Sequence, residues 1–395
     1  MTQHCPFTSI GVQYGESDLV AMSRVLADDG VSYLFDMGHG CDLVLVPITT
    51  AYTGPEVSLP YIGDAGMQVA GDAAIVAVAL HAREHVRQVE QRDAWMESSD
   101  FAPVALVGLE SGDDALAIYS FDSRLENNEK ELERQATLKL VEEATPAKLI
   151  EVTANRFVQP GSALVIENAP VREAEPRLLV LSVRSKWAAG EEAVATHVLT
   201  CIPHDRRWAP QRHPKQVVAG LQKAFVVGDG EIDTDEYGRV LCTFDWDRAK
   251  QVTRRVEASQ GWAGAGYGVF SQPRVGEQAL IAYLDGDPDE PIVVGRVHNG
   301  KNRQPVKLAA DKAVSVWRTK STPNSDGYNE IRMDDAAGAE LISIHAELDL
   351  ETRIGREGRA TCGRDFTFEV ARHTNMRVTG LTSVPVQQPR QVGGR

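Results

Sequence analysis

"DEYGRVLCTFDWDR" (235–248) is the stretch on which the fold turns. Val240, Cys242, Phe244 and Trp246 share one parity, and Arg239, Thr243, Asp245 and Asp247 share the other. Successive strand side chains point to opposite faces, so the spacing predicts a half-buried strand. Val240, Phe244 and Trp246 are its expected core contribution, and Leu241 alone breaks the alternation. Gly238, closing "DEYG", supplies the backbone freedom of a turn. Asp245 and Asp247, two apart on a strand, would sit roughly 7 Å from each other. Some inverting glycosidases use that separation for a catalytic pair, and a solvated strand face produces it as well.

The rest of the chain bears on that choice. Its 395 residues are enough for two to four domains with real cores. A formal net charge of −15 argues against a nucleic-acid footprint. The longest apolar run, "AAIVAVAL" (73–80), is far too short to span a membrane. "MTQHCPFTSI" lacks the charged-then-apolar layout of a signal peptide, so no classical export is expected. Cys5, Cys41, Cys201, Cys242 and Cys362 are scattered and odd in number, which suits a reducing cytoplasm better than a disulfide framework or a zinc site. From Glu351 onward eight arginines face four acidic residues, but the arginines are spaced through a strand-like pattern rather than clustered.

Strands dominate the chain. A helix is expected after Ser17 or Asp18, stopping at Gly30, and a longer one over 124–143. Strands are expected at 31–37, 41–47, 73–80 and in three runs between 149 and 187. Residues 203–222 carry three prolines and no periodicity, the signature of a linker. Beyond them short strands and Gly/Pro turns recur about every ten residues until Asn299, which suggests a small barrel.

Three stretches invite a chemical reading. "HAREH" (81–85) places His81, Glu84 and His85 in the H-x-x-E-H pattern of inverted zinc peptidases, a pattern that needs a helix and a third ligand. The residues before it read as a strand, and nothing downstream names a third ligand. "GWAGAGYG" (261–268) has neither dinucleotide nor Walker spacing and is expected to be a loop packed closely on the barrel. "DGDPDEP" (285–291) lacks the calcium-loop order and reads as a stiff turn between two strands. No cofactor or metal is expected.

The C-terminal segment has a period of eight. Gly355 and Gly363 are eight apart, and "DFTFEV" and "TNMRV" continue the pattern with Ala371 and Thr379 where further glycines would fall. Phe366, Phe368, Val370, Met376 and Val378 would share an inward side, with Gly355 and Gly363 permitting tight turns. One such turn cannot bury its own face, so it must stack or intertwine with other chains.

"GEIDTDEYGRVLCTFDWDR", "GWAGAGYGVFSQPRVGEQALIAYLDGDPDEPIVVGRVHNG" and "GYNEIRMDDAAGAELISIHAELDLETRIG" stand in one order and together resemble the core of valine–glycine-repeat (VgrG) spike proteins. These are type VI secretion tips related to contractile-phage tail spikes. "VQYGESDLVAMSRVLADDGVSYLF" resembles the family's hub, and "QPGS" with its flanking strands is similar to the hub's second barrel. The resemblance implies a mainly β chain with some α: hub barrels, an OB-fold barrel, then the start of a trimeric intertwined β-helix. The corresponding segments are 1–110 and 111–202 for the two hub regions, 203–222 for the linker, 223–302 for the OB barrel and 303–395 for the neck, short stem and tail. It further implies a non-catalytic homotrimer that punctures membranes. Its partners would be an Hcp-like tail tube, baseplate proteins, and a PAAR-type cap or effector at the tip. It would be cytoplasmic before firing and exported through the machine afterwards. A hub–spike of a phage-derived particle is the alternative, and a zinc hydrolase at His81, Glu84 and His85 a third. Asp245 and Asp247 become the outer face of a barrel strand. Family members usually carry about a hundred more residues ahead of "QYGESDL", and the stem here is short.

Overall fold

The computed structural model describes residues 12–37, 40–48, 54–63, 72–92, 104–108, 116–121, 129–169, 177–187, 195–248, 250 and 255–380. They fall into two compact units, Met1–Gln304 and Pro305–Arg395. Cys5 and the tail beyond 380 lie outside the described residues.

The first unit opens with helix α1 (Asp18–Asp28), capped by Ser17, whose Oγ accepts from Val20 N, and stopped by Gly30 at φ 69°. Strands β1 (Val31–Asp36) and β2 (Asp42–Pro47) form an antiparallel ribbon. Then come β3 (Glu56–Pro60), β4 (Ile75–Ala82), β5 (Gln88–Arg92), β6 (Val104–Gly108) and β7 (Ala117–Phe121). Helix α2 (Glu129–Ala144) precedes β8 (Lys148–Ala154), β9 (Ala163–Glu167), β10 (Arg177–Trp187) and β11 (Ala195–Pro203).

Six of these strands make one sheet in the order β3-β9-β10-β11-β8-β4, with β3 parallel to β9 and the remaining pairs antiparallel. Leu59, Ile75, Ile150, Val152, Leu164, Leu178 and Leu199 form its core. A second sheet, β6-β5-β7, carries α2 on one face, where Leu132 and Ala136 pack against Val89 and Ala105. Burying these apolar faces is what holds the short strands together.

Residues 204–221 form no helix or strand, in keeping with a linker, but they are packed rather than free. Ala209 and Val218 are buried, Arg212 N donates to Glu142 Oε1 of α2 at 2.9 Å, and Val218 N donates to Gly286 O at 2.8 Å. Side chains and loop carbonyls of neighbouring elements thus supply the partners that a ladder would otherwise give. The segment is a strap.

The barrel contains β12 (Gln222–Val227), β13 (Leu241–Phe244), β14 (Glu257–Ala258), β15 (Trp262–Gly264), β16 (Tyr267–Val269), β17 (Gln278–Tyr283) and β18 (Pro291–Val297). Five run in the order β13-β12-β17-β18-β14. Its two edges meet where Val240 and Val256 exchange backbone hydrogen bonds of 2.9 and 2.7 Å. A curled five-stranded sheet closed in this way leaves few edges. Val240 and Phe244 are buried in its core beside Ala224, Val226, Cys242, Ile281 and Val293.

Trp246 departs from the expected pattern. The strand ends at Phe244, the chain turns through Asp245 and Trp246, and the indole is 48% exposed. It stacks on the Phe244 ring at 5.0 Å and donates Nε1–H to Gln222 Oε1 at 2.8 Å. Alternation holds only while the backbone stays extended, and an indole at a barrel end keeps its polar edge satisfied. Asp245 and Asp247 therefore lie on this turn, not on a strand face, so the strand spacing that suggested a catalytic pair does not apply. "GWAGAGYG" also differs from expectation: it is the hairpin β15–β16, with its aromatic rings exposed rather than packed on the barrel.

The second unit is a three-stranded antiparallel sheet, β19 (Val314–Arg318), β20 (Glu330–Asp334) and β21 (Leu341–His345), followed by residues 346–380 without helix or strand.

Candidate assembly site in the C-terminal octads

Backbone bends fall at 347–348, 355–356, 363–364, 371–372 and 379–380, eight residues apart each time. Ala371 and Thr379 bend where glycine was expected, so the period survives the loss of the residue that first revealed it. Gly355 and Gly363 lie outside the left-handed region, and a Cβ on either would meet nothing within 4 Å. Within one chain these bends do not themselves demand glycine.

Between the bends, apolar and polar residues alternate. Phe366, Phe368 and Met376 are 75%, 72% and 79% exposed, and Val370 and Val378 are exposed as well. The sheet ahead of them repeats the theme. Register places Trp317 opposite Ile331, Ile331 opposite Ile344, and Met333 opposite Ile342, all exposed on one face. The other face is mixed, with Val314, Val316 and Leu341 beside Arg332 and Asp334, and there Arg318 pairs with Glu330 and lies over the Tyr328 ring, 4.3 Å from its centroid. Exposed apolar side chains gathered on one side in this way are a mark of assembly. The sequence reading missed the sheet's share of it, although "EIRMD" and "LISIH" both alternate.

His81 lies on strand β4, and Glu84 and His85 follow it in irregular chain. The two histidines therefore lack the helical spacing that would turn them toward one ion. Among the described residues no group of three His, Cys, Asp or Glu side chains could hold a metal. The zinc reading loses its geometric basis.

Three family models match the chain: a phage tail baseplate hub over residues 2–190, a type VI secretion system/phage-baseplate injector OB domain over 222–298, and the bacteriophage T4 gp5 C-terminal trimerisation domain over 315–394. The spike protein VgrG4b of Pseudomonas aeruginosa is 30% identical over 390 residues, covering 90% of this chain and 47% of the relative. VgrG5 of the same organism is 28% identical over 380 residues, covering 89% and 48%. Over about nine-tenths of its length the chain is thus similar to the VgrG family of type VI secretion spike proteins. Actin cross-linking toxin VgrG1 of Vibrio cholerae is 41% identical over 156 residues, which cover 38% of this chain and 14% of the toxin. The chain spans about half the length of these Pseudomonas relatives.

The matched OB domain and the closed barrel coincide, and the trimerisation match covers the octads. The sequence reading missed a charged joint in the first unit. Lys215 Nζ, from the strap, contacts Asp287 Oδ1 at 2.8 Å and Asp289 Oδ2 at 2.6 Å in the turn before β18. Asp289 Oδ1 in turn accepts from Val12 N at 2.7 Å. Val12 O accepts from Arg24 of α1, which pairs with Glu16 in a buried ion pair. Beside the octads' exposed Cys362, the buried thiols are chemically quiet: burial pushes Cys201 and Cys242 up to about 12, so neither is a thiolate near neutrality.

Proposed function

We propose that three copies of this chain form a structural spike of a contractile injection machine. The observation that carries the reading is the eight-residue series of bends bearing Phe366, Phe368, Val370, Met376 and Val378 on an uncovered apolar side. Three such segments wound about one axis would bury those columns against each other and leave no open strand edge. Crowding at that axis would then explain glycine at 355 and 363, where the single chain has room to spare.

Hub segments 1–110 and 111–202 would seat on an Hcp-like tail tube and baseplate proteins. The stem would end at a PAAR-type cap or an effector. The work is mechanical: a rigid stem delivers a cargo across a target membrane, and the chain itself does no catalysis. It would be assembled in the cytoplasm and exported by the machine. A hub–spike of a phage-derived particle is the second reading, favoured by the match of residues 2–190 to a phage baseplate hub. Genomic neighbours separate the two, since the same assembly physics serves both.

Light scattering behind a sizing column tests the assembly. Three chains of 43.1 kDa give about 129 kDa. A mass of one chain at all concentrations would sink the spike reading.

A further inference from the structure

The hairpin β15–β16 stands apart from the barrel sheet as its own two-stranded sheet. Trp262, Tyr267 and Phe270 on and beside it are 61%, 63% and 68% exposed, and Val269 is exposed with them. Residues 261–273 contain no charged side chain, in a chain that is 25% charged. A lone hairpin is marginal in water, and an uncharged aromatic surface is what the centre of an interface looks like. The polar face expected of a solvent-facing strand is missing.

The hairpin is also built to hold one shape. Gly264 leaves room for the Tyr267 ring, which would overlap any Cβ there, and Gly268, at φ 142°, lets its backbone approach the Trp262 carbonyl. Gly266 turns the chain at φ 77°. The Trp262 and Tyr267 rings meet edge to face with centroids 5.7 Å apart. Such an arm presents its rings without an ordering cost at the moment of contact.

We infer that this arm is the barrel-level contact between copies of the chain, each hairpin seating on the next copy around the three-fold axis. The inference rests on the trimeric reading above. What selects a second copy as occupant is covalent continuity with the trimerising segment. Only 16 residues separate Val297, the last barrel residue in a strand, from Val314, which opens the sheet ahead of the octads. A link of that length spans roughly 60 Å at full stretch. Once the octads intertwine, three barrels share a small volume at millimolar effective concentration. A three-fold ring uses one patch against a different patch of its neighbour, so a projecting arm needs no self-complementary surface.

The test uses the full chain and has two readings, mass and side-chain accessibility. Oxidation of Trp262, Tyr267 and Phe270 by hydroxyl radicals is followed by mass spectrometry in the trimer and in Phe368→Asp, the chain with its stem contact broken. The trimer is expected to protect all three about tenfold. Trp262→Ser/Tyr267→Ser, which alters only exposed rings, is expected to raise the concentration at which the trimer dissociates by about tenfold, with amide exchange in β12 unchanged. That second variant decides the matter if Phe368→Asp still assembles. A wild-type trimer whose hairpin oxidises as fast as in the separated chain overturns this inference alone. Protection that appears only when another protein is added overturns it in favour of that partner. A wild-type monomer overturns both this inference and the trimeric spike.

Discussion

Lys215 Nζ lies 2.6 Å from Asp289 Oδ2, and the contact fastens an irregular strap to the turn that leads into β18. Asp289 is buried and also receives Val12 N, so one carboxylate gathers the strap and the chain ahead of α1. Removing the ammonium leaves two facing carboxylates without their shared cation. Breaking a fully buried pair costs about 3–5 kcal/mol, and partial exposure of Lys215 and Asp287 reduces that to about 2 kcal/mol. Lys215→Ala is expected to lower the urea midpoint accordingly. An unchanged midpoint would show that the strap is held by Val218 and Ala209 instead.

Gly286 tests the same joint from its backbone. Its φ is 75°, and a Cβ there would overlap Val217 Cγ1 of the strap. An L residue in that region costs about 1–3 kcal/mol, with the overlap in addition. Gly286→Ala is expected to destabilise the first unit and to speed amide exchange at Val218, whose N–H bonds Gly286 O at 2.8 Å. Slow exchange at Val218 in the variant would contradict the proposed docking.

Acid should act on the loop before β13. Asp233 Oδ2 accepts Asp229 N at 2.9 Å and Oδ1 accepts Arg255 Nη2 at 2.6 Å, and these bonds hold its carboxyl below the usual range. Asp235 moves the same way, because burial's upward push is outweighed by its bonds to Arg239. A carboxylate depressed by folding adds stability that is present above its unfolded value, about 4, and is lost as pH falls through the lower folded value. The melting temperature should therefore hold near neutrality and fall below about pH 4, less steeply in Asp233→Asn. Parallel curves for the two proteins would refute the assignment.

The sequence made the barrel legible because alternation and turn chemistry are local. Val240, Cys242 and Phe244 could be paired by parity alone. Trp246 could not, since parity carries no sign that the backbone leaves the extended form after Phe244. The octads were legible for a similar reason: a period is visible even where Ala371 and Thr379 replace glycine. Lys215, Asp287 and Asp289 were invisible as a group, because 72 residues separate Lys215 from Asp287 and nothing in either stretch signals the other. The exposed rings of the hairpin were misread for a related reason. Glycine next to tryptophan suggests close packing, but the close packing here is internal to the hairpin, between Gly264 and Tyr267.

Phe368 carries the most direct prediction about assembly. Its ring is 72% exposed in one chain and sits two residues from Phe366 on the same side of the third octad. If three copies bury this layer, Phe368→Asp places three carboxylates together where apolar surface should meet. An uncompensated buried charge costs several kcal/mol, and the three-fold axis applies that cost three times. The variant should elute at the mass of a single chain at concentrations where the wild type weighs about 129 kDa, with the barrel and hub still folded by circular dichroism. Phe368→Leu, which keeps the site apolar at a loss of volume, should retain the trimer and dissociate at higher concentration. A Phe368→Asp protein of trimeric mass would mean that the octads do not hold the copies together, and that the apolar sheet bearing Trp317, Ile331 and Ile344 does so without them.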